Sequence, residues 1–190
     1  MEIKIVIPSK GKAKAITTNK HVANTIVCVS ESELPEYKKY NPDQEYVTHS
    51  DNLIGLAKKR NWIYHKFKKV FMMDDDLFGL SRMTQKAGET SRIKPDLAYD
   101  IIQNAGNIAN MMGCYLFSFN RYVVPEHYTG HQPFQMSGVV NGCGVGLLGQ
   151  GLEKLFFAEN IVGSGDFFIS GLNAHYYRIV TGKQIGRAHV

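Results

Sequence analysis

The stretch VFMMDDDLFGL, residues 70–80, sets four apolar residues directly against three carboxylates, Asp74, Asp75 and Asp76. The apolar run reads as a short buried strand, and the triplet sits at its carboxyl end. In open α/β sheets, ligands bind at the carboxyl ends of strands. Adjacent carboxylates repel one another, so a plain solvated turn or helix cap has little use for all three. Hard oxygen ligands suit Mg²⁺ or Mn²⁺, which commonly bind through one or two carboxylates plus substrate phosphates. Alternate residues of an extended segment point the same way. Asp74 and Asp76 are therefore expected to share a ligand, while Asp75 faces elsewhere or anchors the loop.

The segments before the triplet alternate between strand and helix patterns. IKIVIP at 3–8 is β-branched and stopped by Pro8, a first strand. TIVCV at 25–29 reads as a second and residues 46–48 as a short third, with 70–73 as the fourth. Between them, Ser30 is expected to cap a short helix, and Asp51 to begin a longer one. Leu53, Leu56, Ala57, Ile63, Tyr64 and Phe67 lie near helical spacing in that second helix. After the triplet, Pro95 opens the clearest amphipathic helix, running to Gly113. Residues 115–119 and 138–148 read as strands, and 166–177 as a last helix. Alternation from the N-terminus implies an α/β fold, a three-layer α/β/α sandwich with a mainly parallel sheet. No repeat or linker divides residues 1–184, which read as one domain.

The last six residues, IGRAHV at 185–190, match the translated start of a widely used sequencing adapter and are expected to be non-native. They carry no weight in the functional reading. Sequencing the intact locus tests this, and a natural gene continuing through IGRAHV would overturn it.

Composition is that of a globular protein, 44% hydrophobic and 21% charged over 190 residues. No apolar run reaches the roughly 18 residues of a membrane span, and the N-terminus does not read as a signal peptide. A cytoplasmic protein without a membrane partner is expected. The three cysteines are odd in number and form no CxxC pair, which points away from a disulfide framework or zinc knuckle. The formal charge of +5, with basic clusters at 10–14, 38–39, 58–60 and 66–69, favours polyanionic partners.

Four pieces in order, IVIPSKG, VCVSESE, NLIGLAKKRN and FMMDDDL, resemble the GT-A glycosyltransferases, nucleotide-sugar enzymes with an aspartate triad or DxD motif after the fourth strand. Within that group the chain is most similar to glycosyltransferases found beside TET/JBP-type oxygenases in bacteriophage genomes, on the IPSKG start and the DDD segment. The resemblance covers residues 3–80 well. It implies Mn²⁺ or Mg²⁺ as cofactor and a nucleotide-sugar donor such as UDP-glucose. The acceptor it implies is 5-hydroxymethylcytosine or a related hydroxymethylated base in DNA, in the cytoplasm of an infected host.

The resemblance also implies residue roles. Pro8, Ser9 and Lys10 would meet the nucleotide, with Lys10 pairing a phosphate; Glu31 would accept from base or ribose; Gly55 would give close approach. Arg60 and Asn61 match the family's Arg-Asn, with Arg60 contacting the diphosphate or anchoring the triplet. Asp74 and Asp75 fall in the donor site, and Asp76 with Asp74 and a late histidine, His175, would hold the metal. An inverting enzyme needs a base near the acceptor hydroxyl; Asp166, opening the last helix, is the candidate, with Glu159 as the alternative. Tyr122 and His131, with His127 and Tyr128, are candidate acceptor contacts. Gly142 and Gly144 leave one strand face bare, either for close approach of an acceptor or for tight sheet packing. Three other readings remain: a glycan or protein acceptor, a sugar-1-phosphate nucleotidyltransferase, and a non-catalytic DNA-binding module.

Overall fold

The computed structural model describes residues 2–82, 91–119, 138–140, 142–149, 153–161 and 163–179. Its six strands form one sheet in the order β3-β2-β1-β4-β6-β5. Strands β1 (Lys4–Pro8), β2 (Thr25–Ser30), β3 (Glu45–His49) and β4 (Val70–Met73) run parallel. Strand β6 (Gly144–Leu147) pairs antiparallel with β4 and with β5 (Leu116–Ser118). The fold is α/β with a mixed, mostly parallel sheet, as the alternating pattern predicts.

Strand β1 is central, and all its residues after Lys4 are buried. Strands covered on both faces read as continuous apolar runs, and the two faces separate cleanly here. Register places Ile26, Val6, Met72 and Val145 side by side. They share one core cluster with Ile63 and Tyr64 of α2 (Leu56–Phe67) and Ile169 of α4 (Gly165–Asn173). The alternate residues face the other way. Ile5, Phe71 and Met73 pack with Ala98 and Ile102 of α3 (Pro95–Met111), and Ile7, Val27 and Val29 with Tyr37 of α1 (Leu34–Tyr40). The three cysteines form no disulfide, and burial pushes the Cys28 thiol up to about 12.

Three element boundaries differ from the sequence expectation. Helix α2 starts at Leu56, not at Asp51, because Gly55 sits at φ +108°, a backbone conformation no helix contains. Residues 51–55 are a loop instead. Helix α1 begins at Leu34, and the Ser30 hydroxyl bonds the Glu33 carboxylate at 2.9 Å instead of capping it. Among the described residues of the strand expected at 138–148, Gly144–Leu147 form the strand, with a turn at 142–143.

The glycine-rich strand packs tightly. A Cβ on Gly146 would lie 2.0 Å from Phe117, whose ring stacks on Phe71 at 5.4 Å, and a Cβ on Gly144 would meet Phe71 at 3.1 Å. The bare faces of these two glycines are thus filled by aromatic rings, which favours sheet packing over acceptor approach at Gly144. Gly146→Ala is expected to lower stability by about 1–3 kcal/mol, the range for overpacking a filled core. Urea unfolding checks this, and an unchanged midpoint would contradict the packing.

Candidate active site

Parallel pairing aligns the carboxyl ends of β1, β2, β3 and β4, and the antiparallel β6 begins at the same edge, opposite Met73. An open cavity of about 750 Å³ lies along this edge. Pro8, Ser9 and Lys10, Gly55, and the whole triplet line it. Gly55 has open space where a side chain would stand.

The triplet leaves β4 in a turn held from below. Thr17 N–H and Thr18 N–H donate to the Asp75 carbonyl, and the Thr18 hydroxyl donates to the Asp74 carbonyl at 2.6 Å. Thr18 Oγ1 also accepts from Leu77 N–H at 2.9 Å, so one threonine spans the turn. The three carboxylates then have different environments. Asp75 is buried; its Oδ2 accepts from Ser9 Oγ at 2.6 Å and its Oδ1 from Lys12 Nζ at 2.7 Å. Because a carboxylate only accepts, Ser9 donates to Asp75, Tyr37 O–H donates to Ser9 at 2.7 Å, and Lys12 N–H donates to Tyr37 at 3.0 Å. Asp75 therefore anchors the end of β1, the second of the two roles expected of it. Asp76 is exposed, and its Oδ2 lies 3.2 Å from the same Lys12 Nζ.

Asp74 is held by Arg60, whose Nη2 donates to Asp74 Oδ1 at 2.8 Å and to Gly142 O at 2.9 Å. The guanidinium is buried and lies over the Phe157 ring. Burial raises the Asp74 carboxyl above its ordinary value; Arg60 opposes this, and Asp76 adds to it. Of the two roles considered for Arg60, the structure places it as the anchor of the triplet, behind the cavity. Asn61 holds the backbone of Phe157, donating to its carbonyl at 2.9 Å and accepting from its N–H at 2.7 Å. It is not a lining residue.

Other expected site residues fall elsewhere. Glu31 is exposed and does not line the cavity. Glu33 and Asp51 do; Glu33 accepts from Gly11 N–H at 2.6 Å, and Asp51 from the Ser32 hydroxyl at 2.6 Å. His175 is exposed, one turn beyond α4 and edge-on to Tyr176, and does not group with Asp74 and Asp76. Asp166 lies in the first turn of α4, against Gly142, where a glycine Cβ would come within 3.0 Å of its Oδ2. Through Gly142 and Arg60 it adjoins Asp74 without lining the cavity. Tyr122, His127, Tyr128, His131 and residues 185–190 lie outside the described residues.

Lys12 and Lys59 are the cations that sequence reasoning missed. Lys59 is buried, its Nζ donates to Ser9 O at 2.6 Å, and burial lowers its pKa. Among the described residues neither Lys10 nor Lys59 has a carboxylate within 4 Å, so both leave charge available to a ligand. Glu33, Asp51, Asp74, Asp75 and Asp76 outnumber Lys10, Lys12, Lys59 and Arg60 by one. This donor set suits a hard divalent cation. Among the described residues no group of three His, Cys, Asp or Glu side chains is placed to hold a metal alone. The residues thus fit a cation that completes its shell on phosphate oxygens.

Among the described residues no helix is long and apolar enough to cross a membrane. A comparison with curated proteins returns no match. A family model described as TET-Associated Glycosyltransferase matches residues 3–145, well over half of the chain and including β1, the triplet and Arg60. The chain belongs to the TET-associated glycosyltransferases, enzymes that transfer sugar.

Proposed function

We propose that this enzyme moves a hexose from a nucleotide-diphosphate sugar, UDP-glucose foremost, to the hydroxyl of 5-hydroxymethylcytosine or a related base in DNA. The observation that carries the donor half is the cavity at the sheet's carboxyl edge. It combines two lysines without carboxylate partners, Lys10 and Lys59, with the triplet and the open approach at Gly55. Lys10 and Lys59 pair the diphosphate. The nucleoside lies toward Ser32, Glu33 and Asp51, whose oxygens accept from base or ribose. Asp74 accepts from sugar hydroxyls. Asp76 and Asp74 would hold a divalent cation, whose charge would stabilise the departing diphosphate.

In an inverting transfer, Asp166 accepts the proton of the acceptor hydroxyl. The hydroxyl oxygen bonds to the anomeric carbon, and the bond from that carbon to the diphosphate breaks, releasing the nucleoside diphosphate. The net charge of +5, which is still +4 without Arg187 of the tail, supports a DNA acceptor, since phosphate contacts dominate nucleic-acid affinity.

The test is incubation with Mn²⁺, UDP-sugars and DNA containing 5-hydroxymethylcytosine, followed by nucleoside mass spectrometry. A mass gain of one hexose on the base, with a rate that falls as salt rises, is expected. No addition with any common donor, or salt-insensitive transfer to a glycan or protein instead, would defeat the DNA reading.

A further inference from the structure

Lys12 stands out among the residues of the cavity because its single ammonium bridges two of the three triplet carboxylates, Asp75 at 2.7 Å and Asp76 at 3.2 Å. The two legs are unequal. The Asp75 side chain is 10% exposed, whereas that of Asp76 is 65% exposed. An ion pair between exposed groups is weak and easily exchanged, while one with a buried carboxylate is retained. Lys12 itself is about half-exposed and reaches from a loop, so its side chain has room to move.

We infer that Lys12 is a built-in counter-cation that occupies the Asp76 end of the triplet until donor arrives, making divalent-cation binding depend on the donor diphosphate. The inference rests on the donor-site reading given above. The ammonium already sits at Asp76 Oδ2, one of the oxygens that a divalent cation would use, and its charge repels any cation that approaches the triplet. The diphosphate removes that obstacle by giving the ammonium a second anion, since Lys12 lines the same cavity as Lys10 and Lys59. Lys12 releases Asp76, turns to a phosphate oxygen and keeps Asp75 within reach. Nucleotide and metal then bind with positive coupling, and by linkage each strengthens the other equally. The arrangement also keeps the triplet from holding a metal without substrate.

The experiment is a Mn²⁺ titration of donor-free protein, reading free Mn²⁺ by electron paramagnetic resonance, then repeated with UDP. Wild-type protein is expected to bind Mn²⁺ weakly alone and much more tightly with UDP. Lys12→Met is expected to bind Mn²⁺ about tenfold more tightly than wild type without UDP, and to lose most of the gain that UDP confers. Lys12→Gln, which keeps an N–H donor but removes the charge, covers the case in which Lys12→Met fails to fold. Lys10→Met is the control for cavity charge in general. Equal tightening by Lys10→Met, or none by either Lys12 variant, overturns the inference while leaving the donor site intact. No Mn²⁺ binding by any variant, even with UDP, defeats the metal reading and the inference with it.

Discussion

Asp76→Ala is expected to reduce sugar transfer by at least roughly a hundredfold, the scale of losing one charge-stabilising group at a reacting centre, with almost no loss of stability. The side chain is 65% exposed and its partner among the described residues is a half-exposed lysine, so its removal leaves no buried group there unpaired. Substitutions away from buried networks fall within about 0.5 kcal/mol. Asp75→Ala should behave in the opposite sense. Its carboxylate is the buried acceptor of Ser9 and Lys12, at the end of a chain of hydrogen bonds through Tyr37. Orphaning those donors costs about 1–3 kcal/mol. Turnover numbers with saturating Mn²⁺ and donor, set beside urea midpoints, separate the two. Wild-type turnover in Asp76→Ala would remove Asp76 from the metal site, and a large drop in its urea midpoint would show a structural role instead.

The second large effect is Arg60→Met, which should cost about 3 kcal/mol of stability and most of the activity. Its guanidinium ties Asp74 to the carbonyl of Gly142 across the junction between β4 and β6. Methionine fills the space over Phe157 but leaves the half-buried Asp74 without a cation and Gly142 without this donor. The loss should depend on pH, and the sign follows from Asp74. Burial already raises its folded carboxyl above the unfolded value, with Arg60 opposing. Removing Arg60 raises it further. A carboxyl with a raised folded pKa favours the folded state below its unfolded pKa, and that contribution is lost as pH rises through the folded value. The deficit of Arg60→Met is therefore full at neutral pH and shrinks as pH falls through the raised Asp74 range. Urea midpoints at pH 7.5 and pH 4.5 measure it; equal deficits at both would show that Asp74 is not the group left unpaired.

Lys59 and Arg60 show how far a one-dimensional reading reaches. In α2 the buried stripe runs Lys59, Arg60, Ile63 and Tyr64, with Phe67 half-buried, the i, i+3, i+4 pattern of a helix face. Lys59 and Arg60 interrupt it where apolar residues belong. That interruption was the signal available for the buried cations, and it is visible only once the helix start is placed. Beginning the helix at Asp51 hid it, because Gly55 at φ +108° carries no marker distinguishing it from an ordinary helix glycine. Glu31 and Glu33 show the same limit. Both follow β2, yet the turn ahead of α1 carries Glu33 to the cavity and leaves Glu31 exposed.

Local pattern sufficed for the alternating strands and helices, the α/β class, the amphipathic helix from Pro95, and the triplet at a strand's carboxyl end. Each of these is written in nearest-neighbour periodicity, which depends on backbone geometry alone. Which carboxylate anchors and which stays open was decided by partners far along the chain: Ser9 and Lys12 on Asp75, Arg60 on Asp74, and Thr18 beneath the turn. Three adjacent aspartates are chemically identical as residue types. They differ only in desolvation and in the cations brought beside them, and the sheet order that places β1 next to β4 sets both.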